Sequence, residues 1–257
     1  MTLAPGFGQA AVVKEHLDVA LLAPYMLVSL LVIAAGMNHP ATATAPARVR
    51  IDFVSDVSCP WCAIGLLSLE QALARLDGRV VADIHFQPFE LNPDMPSGGQ
   101  DTETYVLEKY GADRQQLAQR REVICRRGAE LGFAFGPRER IYNTYDAHRL
   151  LHWAASEGRQ AELKHALLRG YFTDSEDVGS RDVLARIAAS VGLPEQRARE
   201  VLASGEYGDA VRAQERFYQE RGIHAVPAVI VNERHLISGG QPTEIFESAL
   251  KQITGVA

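Results

Sequence analysis

The stretch that decides the fold is Asp56–Gly65, DVSCPWCAIG, in which two residues separate Cys59 from Cys62. The segment before it, Arg48–Asp56, alternates apolar residues in the manner of a buried β-strand. After Cys59 the period changes to that of one helix face, carried by Leu66, Leu69, Leu73 and Leu76. The cysteine pair is therefore predicted to lie at a strand-to-helix junction.

This position affects the acidity of the cysteine pair. The first turn of a helix has unpaired N–H groups and a partial positive charge, which stabilise a thiolate. We expect the pKa of Cys59 to fall below about 8.5, and Cys62, one turn later, to be close enough to resolve a mixed disulfide. Pro60 suits a first helical position, which needs no N–H partner. Trp61 either covers one side of the site or packs on the core without a specific role.

Two other interpretations of the pair are a zinc site and an inert structural pair. Structural zinc usually has four ligands, often from a second Cys or His pair at short spacing. The close histidine pair, His148 and His152, lies far along the chain on a predicted helix. We therefore expect no metal and favour a redox-active pair.

The rest of the chain extends the architecture. A second strand at Arg79–Phe89 completes a βαβ unit with parallel strands. Residues 102–205 are predicted to form six helices separated by glycines. The strand Ala228–Val231, the short strand His235–Ser238 and a last helix then give an antiparallel hairpin and a helix.

The predicted fold class is thus α/β, a thioredoxin-like βαβ…ββα fold with a large all-helical insertion. Residues 48–91 and 206–257 are assigned to the thioredoxin-like domain, and residues 92–205 to the insertion. Residues 1–47 form an apolar extension and linker.

A proline far along the chain is a second element that supports the predicted site. Val226-Pro227 stands at the start of a strand, where proline is confined to edges, starts and bulges. It is either a loop proline or a cis peptide that turns the backbone toward the cysteines, and the sequence leaves both open.

Composition and charge exclude several classes of protein. The chain has 257 residues, a formal net charge of −6 and no block of five basic residues, so nucleic acid is excluded as a partner. Three cysteines are too few for a disulfide-stapled secreted scaffold.

The N-terminus is ambiguous. Val19–Met37 holds nineteen residues without a charge, which reaches the length of a membrane-spanning helix. It is a signal peptide cleaved near Ala41–Ala45, a membrane anchor, or an artefact of the assigned start with Met37 as the initiator. The last interpretation suits a cytoplasmic protein, and the first an exported, periplasmic one.

Four motifs, taken in order, resemble the DsbA-family thiol–disulfide oxidoreductases with a thioredoxin fold, and most closely their FrnE-like branch. They are SDVSCPWCAIG, FQPFELNPDMP, YNTYDAHRLLHWAASEG and GIHAVPAVIVNERHLISGGQP. The resemblance implies that Cys59 is the nucleophile and Cys62 the resolving thiol. It also implies that Pro227 is a cis-proline beside them, that Val226 shapes the substrate groove and that the insertion caps the site.

Kappa-class glutathione transferases and 2-hydroxychromene-2-carboxylate isomerases share this architecture, but their usual reactive residue is a serine where Cys59 stands. The cysteine favours disulfide exchange with protein thiols, protein disulfides or glutathione, without a further cofactor. A glutathione-dependent isomerase or transferase and a redox-silent binding module are the alternatives. The oligomeric state is left open, a homodimer included.

Five other residues each have two interpretations, one functional and one structural. Asn143, Thr144 and His148 either line the substrate groove or cap and pack a helix. Asp52 is either a buried proton acceptor for Cys62 or part of a polar strand face. Cys125, among four arginines, is a redox sensor or, more commonly for such a residue, a filler on a helix face.

Overall fold

The computed structural model describes residues 45–96, 98–111 and 113–256. The apolar segment Val19–Met37 lies outside the described residues, so its three interpretations stay predictions. Within the described ranges, no helix combines the length and the apolar character that crossing a membrane requires.

The chain opens with the predicted βαβ unit. Strand β1 (Ala47–Ser55) pairs in parallel with β2 (Val80–Pro88), and helix α1 (Pro60–Arg75) connects them. The β1 side chains Ile51 and Phe53 are fully buried in the main core, where the leucines of α1 also pack. The change of period after Cys59 therefore marks a real junction between strand and helix.

The insertion contains the six predicted helices. In chain order its elements are β3 (Gln100–Asp101), α2 (Thr102–Tyr110), α3 (Arg114–Glu130), β4 (Arg140–Ile141), α4 (Tyr145–Ser156), α5 (Gln160–Phe172), α6 (Arg181–Ser190) and α7 (Glu195–Ser204). The prediction of an all-helical insertion is wrong in one detail, because β3 and β4 form a small antiparallel ribbon. Strands of two residues are too short to show a period in the sequence.

One helix of the described chain was not predicted. Helix α8 (Gly208–Glu220) connects the insertion to the C-terminal strands. Its buried residue Tyr218 packs with Val54 and Ala228 in a second, smaller core. Since successive side chains of a strand point to opposite faces, Val54 lies on the sheet face opposite Phe53. Helix α8 therefore covers the face that α1 does not.

The chain ends as predicted with strands β5 (Ala228–Val231) and β6 (His235–Ser238) and helix α9 (Thr243–Thr254). The larger sheet has the order β2-β1-β5-β6, with β5 antiparallel to both of its neighbours. Asn232 and Glu233 have positive φ angles of 52° and 57° in the hairpin turn, as a type I′ turn requires. Helix α9 packs against α1.

The insertion is attached to the edge of this sheet. Strand β2 is an edge strand, and the side-chain amide of Gln160 in α5 accepts from the backbone N–H of Phe86 and donates to its carbonyl, both at 3.0 Å. His165 of α5 contacts Glu70 of α1 at 2.7 Å. The amide satisfies one residue of this edge strand and fixes α5 against it.

Candidate active site

Cys59 lies at the start of α1, as the sequence predicts. Its backbone is extended, with φ −91° and ψ 113°, and Pro60 takes the first helical position. The Cys59 carbonyl accepts a hydrogen bond from the Cys62 N–H at 3.0 Å. The Cys59 Sγ lies 3.8 Å from the Val226 carbonyl oxygen, so the loop before β5 borders the sulfur.

The Val226–Pro227 peptide bond is cis. Pro227 packs tightly on α1, since a Cβ added at Gly65 would lie 3.0 Å from its Cγ and 3.2 Å from the Cα of Gly240. Trp61 lies beside Gly240 and leaves 37% of its surface exposed. The Trp61 ring is therefore placed at the side of the site rather than in the core.

The two cysteines, both free thiols here, differ strongly in acidity. The pKa of Cys59 is lowered, chiefly because the Cys62 thiol hydrogen-bonds to its sulfur, and the backbone N–H groups of Cys62 and Trp61 add to this effect. The pKa of Cys62 is raised well above its ordinary value, first by complete burial and then by the neighbouring Cys59 sulfur. Cys59 is therefore the more acidic of the two thiols.

A buried carboxylate precedes the pair. Asp56 accepts hydrogen bonds from the Leu91 N–H at 2.8 Å, the Ser58 hydroxyl at 3.0 Å and the Ser58 N–H at 3.2 Å. Burial raises the pKa of Asp56. Three contacts outweigh this effect and hold the pKa below its ordinary value: those with His148, the Leu91 N–H and the Thr144 side chain. The carboxylate in turn acts to raise the pKa of Cys59.

The structure separates the three groove candidates. His148 is buried on α4, and its Nε2 lies 3.4 Å from Asp56 Oδ1, beneath the cysteine loop. Thr144 is also buried on the Asp56 side. Asn143 accepts from the Tyr145 N–H at 2.9 Å at the start of α4, and it lies on the wall of a cavity of about 510 Å³.

Two other candidates, Asp52 and Cys125, have contacts of their own. The Asp52 carboxylate accepts from the Arg50 guanidinium at 2.8 Å and the Gln87 amide at 2.7 Å, which supports the polar strand face over the proton acceptor for Cys62. Cys125 is partly buried on α3, with its Sγ 3.8 Å from the Phe135 carbonyl. Among the described residues, no group of three or more His, Cys, Asp or Glu is arranged to hold a metal ion.

Two charged groups near the pair were not predicted. Lys164 of α5 is completely buried and interacts electrostatically with Cys62, Asp56 and Cys59. Asp56 itself was passed over, although an acid three residues before a cysteine at a strand end was a readable signal. Lys164 gave no such signal, because its place under α1 depends on how α5 packs.

Arg212, with the buried Glu90 and Glu215, connects α8 to the site. Arg212 binds both Glu90 and Glu215, the latter at 2.8 Å, and its guanidinium lies 4.2 Å from the ring centroid of Tyr145. Burial first, then repulsion from Glu215, raises the pKa of Glu90 to about 7, against the attraction of Arg212 and His148.

The fold and the paired cysteines define a thioredoxin-fold protein with a dithiol at the start of its first helix. A family model described as the DSBA-like thioredoxin domain matches residues 50–251, and the chain belongs to this family. The FrnE-like branch stays a resemblance, which fits this family.

Solved structures agree with the family. A probable DsbA oxidoreductase from Streptomyces coelicolor is 34% identical with a TM-score of 0.77, over 81% of this chain and 91% of that one. The cytosolic disulfide reductase DsbM from Pseudomonas aeruginosa, solved with GSH, is 16% identical with a TM-score of 0.57, over 80% and 100%. A 2-hydroxychromene-2-carboxylate isomerase is 14% identical with a TM-score of 0.59, over 81% and 99%. The last two similarities show the fold alone.

Proposed function

We propose that this protein is a dithiol–disulfide oxidoreductase that works through Cys59 and Cys62. The observation that carries the proposal is the acidity difference between the two sulfurs: the pKa of Cys59 is lowered and that of Cys62 is raised. Attack needs a thiolate, and an orderly sequence needs the second thiol to stay protonated until the first has reacted.

The reaction balances with the two sulfurs alone. The Cys59 thiolate attacks a substrate disulfide, forms a mixed disulfide and releases one substrate thiolate. Cys62 then loses its proton and attacks the Cys59 sulfur. The Cys59–Cys62 disulfide forms, the bond to the substrate breaks, and the second substrate sulfur leaves as a thiolate. The reverse sequence oxidises a substrate dithiol, and the reduction potential decides the direction.

The surroundings of Cys59 suit a small or extended thiol substrate. The Val226 carbonyl borders the Cys59 sulfur, Pro227 follows Val226 in the chain, and Trp61, two residues after Cys59, is exposed. By analogy with the cytosolic reductase of the same fold that was solved with GSH, we include in the proposal glutathione as a co-substrate beside protein thiols and disulfides, and a cytoplasmic place of action. No metal or nucleotide enters the proposed steps.

A trapping experiment tests the proposal. Cys62→Ser incubated with oxidised glutathione should accumulate one glutathione per chain on Cys59, seen by intact mass, because the resolving thiol is missing. Cys59→Ser should accumulate none, and Cys125→Ser should behave as the unmodified protein. Activity of Cys59→Ser as a glutathione-dependent isomerase would favour that alternative, and indifference to both cysteines would favour a binding module.

A further inference from the structure

The starting observation is an arginine of the insertion that contacts the cysteine loop. Arg138 lies between α3 and β4, and its Nη1 donates a hydrogen bond to the Ser58 carbonyl at 3.3 Å. Ser58 directly precedes Cys59. Covalent geometry allows at most about 6 Å between this carbonyl oxygen and the Cys59 sulfur, so the Arg138 nitrogen lies within roughly 9 Å of that sulfur. The insertion thus brings a cation close to the predicted nucleophile.

The guanidinium group of Arg138 is held in place from below. Its central carbon lies 6.0 Å from the ring centroid of Tyr171 and 5.9 Å from that of Phe172, and both rings are buried on α5. The loop that carries Arg138 is fixed to the same helix, because the Gly136 N–H donates to the Phe172 carbonyl at 2.7 Å. An arginine held on aromatic rings and a backbone carbonyl loses little further freedom when it binds an anion.

This guanidinium has donors left for a ligand. In the part of the chain that the structure describes, Arg138 contacts the Ser58 carbonyl and the two rings, and no carboxylate pairs with it. Arg149 differs, since it binds Asp146 at 2.6 Å. The Arg138 side chain is only half-buried, and an arginine has five N–H donors in a fork that matches the two oxygens of a carboxylate.

The charges around Cys59 make this cation matter. Val226, Pro227 and Trp61, which surround the sulfur, are uncharged. The whole chain has a net charge of −6, which repels an anionic substrate over long distances. A preference for an acidic substrate therefore requires a local cation, and Arg138 is placed to supply it.

We propose that Arg138 binds a carboxylate of the disulfide substrate while Cys59 attacks its sulfur, so that the site prefers small acidic disulfides to neutral or cationic ones. The inference rests on the proposed function and names the substrate class of its first step. Oxidised glutathione fits the spacing. The glycine carboxylate lies about six bonds from the sulfur, and with the new S–S bond of about 2 Å it reaches about 9 Å from the Cys59 sulfur.

The test compares three disulfides that differ in charge. In a Cys62→Ser background, which traps the mixed disulfide, intact mass measures the rate of attack on oxidised glutathione, neutral 2-hydroxyethyl disulfide and cationic cystamine. Adding Arg138→Gln should slow attack on oxidised glutathione on the order of 10-fold, the scale of one charge-assisted hydrogen bond. The neutral disulfide should change by less than about twofold, because it has no carboxylate to lose. Arg138→Lys should restore part of the preference, since it keeps the charge but not the fork.

Two controls separate substrate binding from a general effect of charge. Arg121 also donates to a backbone carbonyl, that of Gly136 at 3.3 Å, but it is exposed on α3. Arg121→Gln should therefore retain the order and ratio of the three rates. Alkylation of Cys59 by uncharged iodoacetamide across a pH series should give the same midpoint with Arg138 and with Gln at this position. A loss of equal size for all three disulfides, or an unchanged preference in Arg138→Gln, would overturn the proposal.

If Arg138→Gln does not fold, the unmodified protein gives the answer. The ethyl ester of oxidised glutathione, in which the carboxylates are blocked, should react about 10-fold more slowly than oxidised glutathione itself. The net charge of −6 favours the more positive ester, so an ester that reacts equally fast or faster overturns the proposal. Failure of the proposed function is a separate result, because Cys59 would then form a mixed disulfide with none of these reagents.

Discussion

Oδ1 of Asp56 lies 3.4 Å from Nε2 of His148, and both side chains are almost fully buried. The first belongs to the loop that carries Cys59, and the second to α4 of the insertion. The contact therefore joins the two parts of the fold close to Cys59. It also holds an anion close to Cys59, which opposes the groups that favour the thiolate.

The first prediction concerns the stability that this anion provides. Asp56→Asn should lower the free energy of unfolding by about 2 kcal/mol at pH 7, because the N–H groups of Leu91 and Ser58 lose a charged, buried acceptor. The pKa of Asp56 is held below its ordinary value in the fold, so its contribution is present above about pH 4 and is lost as the pH falls further. Urea unfolding at several pH values measures both effects.

The matched control is the exposed aspartate–histidine pair of β2. Asp83 and His85 contact each other at 2.8 Å, but the Asp83 side chain is 77% exposed. Asp83→Asn should change the free energy of unfolding by less than about 1 kcal/mol, as for other surface pairs. Equal losses in the two variants would contradict the role given to the buried contact.

The second prediction concerns Glu90 and pH. Its pKa is about 7 in the fold, above the ordinary value of a glutamate. A raised carboxyl pKa stabilises the fold at low pH, and this contribution is lost as the pH rises from about 4.5 to 7. The loss amounts to about 3 kcal/mol for a shift of this size. Glu90→Gln should flatten the fall in unfolding free energy over this range.

The control for this prediction is Glu233→Gln, at a largely exposed glutamate in the β5–β6 turn. This variant should retain the pH dependence of the unmodified protein. Thermal or urea unfolding between pH 4.5 and 7.5 is the measurement. If the pH profile of Glu90→Gln runs parallel to that of the unmodified protein, Glu90 is not the source of the pH dependence.

The third prediction concerns the contact between α1 and the loop of Pro227. Gly65→Ala places a methyl group 3.0 Å from Pro227 Cγ and 3.2 Å from Gly240 Cα, so the loop or the helix must shift. Overpacking of this kind costs about 1–3 kcal/mol, less the gain in helix propensity. The rate of Cys59 attack on oxidised glutathione should also fall, because the Val226 carbonyl moves with the loop.

Gly98→Ala is the control for the third prediction. A Cβ at Gly98 meets no atom within 4 Å, so this variant should retain the unfolding free energy and the rate of attack. Unfolding curves and the quenched glutathione assay provide the two readouts. A Gly65→Ala protein that matches Gly98→Ala in both would show that the close approach of α1 and Pro227 is not needed.

The parts of the fold and of the site that depend on local pattern could be predicted from the sequence. Periodicity and the CPWC motif predicted β1, α1 and the position of Cys59, because a strand-to-helix junction is encoded within a few residues. Helix α8 was missed: its sequence, GDAVRAQERFYQE, is rich in charge and shows few apolar residues. Lys164 was missed because only packing shows that a lysine on α5 is buried beside Cys62.

The two-residue ribbon of β3 and β4 was out of reach for a different reason, since two residues show no period. The choice between the two interpretations of Asp52 also required the structure. An alternating strand places Asp52 on the face away from Phe53 but cannot tell what lies there, and in the fold the partners are Arg50 and Gln87. Local pattern thus gives the position of Cys59, and tertiary packing gives the charged groups around it.

The most direct test of the central claim is a redox titration of the purified protein in glutathione buffers, with alkylation and intact mass as the readout. We predict one reversible two-electron couple, assigned to Cys59 and Cys62, with Cys125 remaining a free thiol throughout. A potential near about −120 mV would identify an oxidant and one near about −270 mV a reductant. The absence of a reversible couple between Cys59 and Cys62 would contradict a dithiol–disulfide oxidoreductase.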